Sequence, residues 1–225
     1  DVIDAMFRQV YSNEIKPFKV QNIPGIVYAA QHDMGVIGAA YYDKDAANYQ
    51  VTTGNFTTWN NGWAYRNNGV DLQPCNDNIN NMGFNVGWTE NGEWMKYTVN
   101  VANDAVYDIN MRVTSGIGSS KLHFKMNGSD VTNVVNIPNT GGWDTWQTVT
   151  ISDVILSTTD NELELYIDAR GVNISSFQFV QKGAMTALST AFLSAKTFNE
   201  STIQLNLNKP LVTPLNATVN DFTIT

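Results

Sequence analysis

The chain has 225 residues, 43% of them apolar and 15% charged, with a formal net charge of −8 and a pI near 4.6. That apolar share suffices for a core and excludes wholesale disorder. Phosphate backbones and anionic membranes are bound by grouped cations, and no Lys or Arg cluster occurs, so nucleic acid and membrane are disfavoured as partners.

The opening segment DVIDAMFRQVY sets Ile3, Met6, Phe7, Val10 and Tyr11 at helical spacing, which predicts a short helix that is marginal alone. In IKPFKVQNIPG, Pro17 and Pro24 push the residues before them towards extended geometry. Residues 1–21 read as the tail of an upstream domain followed by a linker. No signal peptide opens the chain, so the expectation is an excerpt of a longer exported protein.

From residue 22 to 181 the pattern is short alternating strands. Met95, Tyr97, Val99 and Val101 share one face of GEWMKYTVNV, and Tyr107, Ile109, Met111 and Val113 one face of VYDINMRV. KLHFKM offers Leu122, Phe124 and Met126, and ELELYI offers Leu163, Leu165 and Ile167. Turn residues separate these runs, and no helical crossover appears. The prediction is an all-β sandwich of two packed antiparallel sheets. Beyond it, STIQLNLNKPL alternates Ile203, Leu205 and Leu207, and NDFTIT offers one more strand. Residues 182–225 are too few to bury a core unaided. They read as the start of a further β (Ig-like) domain or as a C-terminal arm.

Catalytic chemistry is scarce. His32 precedes Asp33 with no partner at ligand spacing, and His123, between Lys121 and Lys125 on a polar strand face, reads as solvated. No G-x-S-x-G, H-E-x-x-H or P-loop occurs. Glu90 and Glu93 are the one pair with the outline of a glycosidase acid and nucleophile. They share a single turn and strand entry, however, and Glu93 has the buried parity. The lone Cys75 permits no disulfide within the chain and no multi-cysteine zinc site, and reads as a packed or half-exposed residue.

The tryptophans carry more. Trp94 has the parity of Lys96, Thr98 and Asn100, so it stands outside the core. Trp88 lies in the turn-rich NVGWTENG, and Trp143 follows two glycines in NTGGWDTW, which predicts presentation by a loop. Trp146 reads as buried filler. Indole faces pack on the C–H face of a pyranose ring, while amides and hydroxyls take its hydroxyl groups.

These blocks resemble the family 6 carbohydrate-binding modules of bacterial glycoside hydrolases. The likeness runs over about residues 22 to 181 through IPG near the start, YYDKDAAN, AYRNNGVDL, FNVGWTENGEWMKYTVNV, NIPNTGGWDTWQTVTI and VNISSFQF. It implies a jelly-roll sandwich whose loop-end cleft holds a sugar between two aromatic side chains, with an asparagine bonded to it. The matching positions are Trp88, Trp143 and Asn173. Some members use a second site on the concave sheet face, which here falls at Trp94. The likeness also implies a structural calcium, held by an E-x-E pair and an acid on the last strand. The matching positions are Tyr28, Ala30 and Ser175, so no carboxylate is present and no cofactor is expected. The stretch from Gln50 to Gly62 is inserted relative to the family and brings Trp59, with Trp63 just after it. Those two rings either enlarge the cleft or cap the sandwich.

The resulting expectation is a non-catalytic module that targets an attached, secreted bacterial glycoside hydrolase to a β-glucan, xylan or agarose-type chain. A surface or adhesion sandwich and a small glycosidase using Glu90 and Glu93 are the alternatives.

Overall fold

The computed structural model describes residues 14–44, 65–66, 69–184, 192–199 and 202–207. The helix expected over residues 1–11, Trp59, Trp63 and the NDFTIT strand lie outside the described residues. The chain divides into two compact units, Asp1–Gly183 and Ala184–Thr225.

In chain order the first unit holds β1 (Gln21–Ile23), β2 (Gly25–Tyr28), a 3-10 turn (Ala29–Gln31), β3 (Tyr41–Tyr42), β4 (Leu72–Pro74) and β5 (Phe84–Val86). There follow β6 (Trp94–Val101), β7 (Ala105–Ser115), β8 (Ser120–Met126), β9 (Ser129–Asp130) and β10 (Val135–Ile137). The long strands β11 (Gly142–Leu156), β12 (Glu162–Ala169) and β13 (Asn173–Ala184) complete it. The first sheet runs β1-β6-β12-β8-β10, with β3 on β6 and β9 on β8; the second runs β11-β7-β13-β5-β4, with β2 on β13. β1 lies parallel to β6, while β6–β12, β12–β8, β8–β10, β7–β11, β13–β2, β13–β5 and β4–β5 pair antiparallel.

Every residue named above on the apolar faces of β6, β7, β8 and β12 is buried in one core. Successive strand side chains alternate between faces, so a period-two sequence puts one set inside. Tyr97 and Phe124 of the first sheet meet Phe177 of the second edge-on, at 5.3 and 5.2 Å between ring centres. Residues ahead of β1 also join this unit: Ile15 packs against the core, and Lys16 pairs with Met34. In the second unit, β14 (Phe192–Asn199) and β15 (Thr202–Leu207) form an antiparallel hairpin.

Candidate functional site

Trp143 is the second residue of β11, not a loop residue, yet it is 47% exposed. The reason is an irregularity in the ladder. Gly142 pairs with Ser115 and Gln147 with Val113, so β11 advances five residues while β7 advances two. Extra residues in one strand swing its side chains out of the pleat. The Trp143 carbonyl accepts hydrogen bonds from Thr114 Oγ1 at 2.8 Å and Asn173 Nδ2 at 3.1 Å. Its indole lies on Gly116, where a Cβ would come within 2.9 Å of the ring, so only glycine leaves that seat open.

Trp88 is 38% exposed and holds a left-handed backbone with φ of 48°, a conformation that costs a bulky residue about 1–3 kcal/mol unless its surroundings enforce it. Thr89 does the enforcing. Its buried hydroxyl donates to the Val172 carbonyl at 2.8 Å and accepts from the Val172 N–H at 3.0 Å. Gly171 N–H adds a bond to the Thr89 carbonyl at 3.0 Å. Gly87, on the other side of Trp88, lies against the Asn173 amide, whose Oδ1 is 3.1 Å from where a Cβ would stand. Trp88, Trp143 and Asn173 thus converge on one end of the sandwich through their immediate neighbours. The two indoles are open, while Asn173 is buried at 4% exposure. None of the three side chains carries a charge.

Trp94 is half-buried and outside the core, as its parity predicted. It is in register with Tyr42 on β3 and Tyr166 on β12, and Tyr166 is in register with His123 on β8. This row is covered by charge. Lys96 Nζ lies 5.5 Å from the centre of the Trp94 ring and 3.0 Å from Glu162; Lys125 Nζ lies 4.6 Å over Tyr166 and 3.5 Å from Glu164. His123, expected to be solvated, is buried. Its Nδ1 sits 2.7 Å from Asp168 and its Nε2 3.3 Å from Asp130, with the ring against Tyr166. A polar strand face is solvated only where its cross-strand neighbours leave room, and here two carboxylates and a phenol ring close over the imidazole. Trp146 likewise departs from buried filler: it is half-exposed and donates its indole N–H to Asn76 Oδ1 at 2.6 Å.

Glu90 and Glu93 are occupied by structure. The buried Glu93 carboxylate accepts from the N–H groups of Lys44 at 3.1 Å and Glu90 at 2.8 Å, and burial pushes its carboxyl above the usual range. Glu90 is paired with Lys44 and Arg170. Cys75 is half-buried, and burial likewise raises its thiol, so it is no ready nucleophile.

The positions implied for calcium do not fit that ion. Ala30 is buried without a side-chain oxygen, Tyr28 offers a phenol, and the buried Ser175 offers one neutral hydroxyl. The buried Arg66 guanidinium donates to the carbonyls of Ala30, His32 and Asp33, so carbonyls in this turn already face a cation. Among the described residues no group of three His, Cys, Asp or Glu is placed to hold a metal.

The family model for the carbohydrate-binding module (family 6) matches residues 63–181, more than half of the chain. The chain belongs to that family. It is similar to the clotting factor G alpha subunit of Tachypleus tridentatus, 34% identical over 95 residues, which are 41% of this chain and 14% of that protein. It is also similar to a β-agarase of Microbulbifer thermotolerans, 31% identical over 80 residues, 34% of this chain and 18% of that enzyme. The β-1,3-glucan-binding family 6 module of Bacillus halodurans shares the fold, with a TM-score of 0.50 and 22% identity over 72% of this chain and 98% of that module. The matching stretch spans only 10 to 18% of the length of the curated relatives. Family 6 modules bind carbohydrate without catalysis, in keeping with the tethered state of Glu90 and Glu93.

Among the site's residues, Thr89, Thr114 and Gly116 escaped the sequence reading. Only the G-W-T and S-G-I-G strings hinted at them.

Proposed function

We propose that residues 22–181 target a larger secreted bacterial enzyme, a glycoside hydrolase, to a neutral polysaccharide. Residues 1–21, of which Ile15, Lys16 and Gln21 already join the sandwich, would lead in from an upstream domain, and residues 182–225 would begin a further β domain or form a C-terminal arm. Sugar rings stack on Trp88 and Trp143 at the loop end, and the Asn173 amide bonds a ring hydroxyl. What supports this reading is that two open indoles, Trp88 and Trp143, are tied through their backbone neighbours to one buried, uncharged amide. An aromatic ring that stays in water at a built, rigid place is a binding surface. Because Asn173 Nδ2 already serves the Trp143 carbonyl, its Oδ1 is the atom left to accept from a sugar hydroxyl. No metal takes part. Relatives include a β-agarase and a β-1,3-glucan-binding module, so β-glucan, xylan and agarose are the chains to try.

Affinity electrophoresis through gels containing laminarin, hydroxyethylcellulose, xylan or agarose tests this directly. At least one polysaccharide should retard the protein, and release no reducing sugar on incubation with it. The Trp88→Ala/Trp143→Ala double variant should run unretarded. Free migration of the unmodified protein in every gel would leave the adhesion-type sandwich in possession.

A further inference from the structure

The β7–β8 loop reads Gly116-Ile117-Gly118-Ser119, and Ile117 is 46% exposed. The loop is strapped down. Ser115 Oγ accepts from the N–H groups of Ile117 at 3.3 Å and Gly118 at 3.2 Å, and lies 3.0 Å from Ser120 Oγ. Ser120 Oγ donates to the Gly171 carbonyl at 2.7 Å, and Asn139 Nδ2 to the Gly116 carbonyl at 3.1 Å. Ile117 therefore has a fixed place, and that place is a second glycine seat. Its side chain lies across Gly171, where a Cβ would fall 2.4 Å from Ile117 Cδ1.

The two seats bracket the site. Gly116, adjacent in sequence, carries the Trp143 indole, while Gly171 N–H is bonded to the Thr89 carbonyl beside Trp88. Gly171 also stands two residues before Asn173, within about 7 Å along the chain. Of the cations near these seats in sequence, Arg170 is 66% exposed and 3.5 Å from Glu90, and Lys121 is exposed.

We propose that Ile117 is a specificity-determining wall of the loop-end cleft, contacting the C–H surface of the bound sugar and selecting neutral over acidic polysaccharides. This rests on the Trp88–Trp143 reading. An anionic substituent placed against Ile117 would lose water and gain no hydrogen-bond donor from that side chain, whereas a ring's C–H face gains from apolar burial.

The test uses the whole chain with four probes: laminarin, xylan and agarose as neutral polymers, and carboxymethyl-curdlan as an acidic one. Ile117→Asn should weaken binding to whichever neutral probe is retained by about threefold or more, with melting temperature unchanged. Ile117→Val, which keeps an apolar wall, should stay within about twofold. Ile117→Lys should shift the ratio of acidic to neutral affinity upward by about fivefold or more. Trp143→Ala serves as the reference. If Trp143→Ala loses binding while Ile117→Asn and Ile117→Lys match the unmodified protein, the Ile117 wall is overturned and the tryptophan site stands. If Trp143→Ala also binds normally, both fall. Should Ile117→Asn misfold, the acidic-to-neutral ratio of the Lys variant decides.

Discussion

At the loop end, the Trp143 indole lies on Gly116 and Trp88 is held through the Thr89 hydroxyl; on the outer face of the first sheet, Trp94 and Tyr166 lie beneath lysines pinned by glutamates. Both sets of rings are outside the core. What separates them is whether their faces are already taken. A lysine ammonium over a ring is worth about 0.5–1 kcal/mol at an exposed site, and a sugar stacking there must first displace it. At the loop end no cation among the described residues lies over either indole, and the seat under Trp143 is Gly116, which no side chain can fill. Exclusion from the core therefore marks both regions, but vacancy of the ring face marks only one.

Tryptophan removal should expose that difference most strongly. Trp143→Ala and Trp88→Ala are each expected to lower affinity about tenfold or more, about 1.4 kcal/mol, with little change in thermal stability. Trp94→Ala should change affinity for the same polysaccharide by less than about twofold, since its ring lies under Lys96. Isothermal titration of the three variants checks this, and a Trp94 effect equal to that of Trp143 would erase the distinction between the two faces.

A subtler change tests how the loop end is held. Thr89→Val keeps the side-chain volume but removes both hydroxyl bonds to Val172, leaving a buried carbonyl and N–H unpaired. Valine and threonine are not equivalent in such a place, and a loss of about 1–3 kcal/mol of stability is expected. Binding should weaken by about threefold to tenfold as Trp88 is freed from its left-handed turn. Thr89→Ser, which keeps the hydroxyl, should recover most of the affinity. A Val variant that melts early yet binds normally would mean that Thr89 supports the fold alone.

The residues themselves show how far the sequence could be read. The sandwich was legible because Met95, Tyr97, Val99 and Val101, and their counterparts on three other strands, repeat every second residue. Exposure of Trp88 was legible from its turn, and Trp94 from parity. Thr89 was not, because its partner Val172 lies 83 residues away and only the folded register joins them. His123 was misjudged for the same reason: Asp168 and Tyr166 reach it from β12, a neighbour that local pattern does not name. Trp143 was expected on a loop, and its exposure instead follows from a ladder irregularity that depends on β7. Asn173 emerged only from the family likeness. Its bond to the Trp143 carbonyl means that Asn173→Ala would disturb the seating of that residue together with the proposed sugar contact, so that variant separates nothing.

The smallest expected effect is none at all, and it concerns whether the loop end needs an ion to keep its shape. Calcium takes six to eight oxygens, several of them charged. At the three implied positions this chain offers a phenol, a methyl group and a neutral hydroxyl, from Tyr28, Ala30 and Ser175. The carbonyls of Ala30, His32 and Asp33 do not make up the set, because they receive the Arg66 guanidinium. Burial lowers the Arg66 pKa to about 10, so the group remains a cation at neutral pH. A divalent ion among the same carbonyls would meet its repulsion in a dry setting, where screening is weak. An ion that binds the native state poorly adds little stability. Chelator should therefore leave both the melting temperature and the loop-end affinity unchanged, and added calcium should raise neither. A drop of several degrees on chelation, restored by calcium, would show that other oxygens had rebuilt the site. A loss of affinity alone would show instead that the Gly116 seat and the Thr89 and Thr114 hydroxyls do not hold the indoles without help.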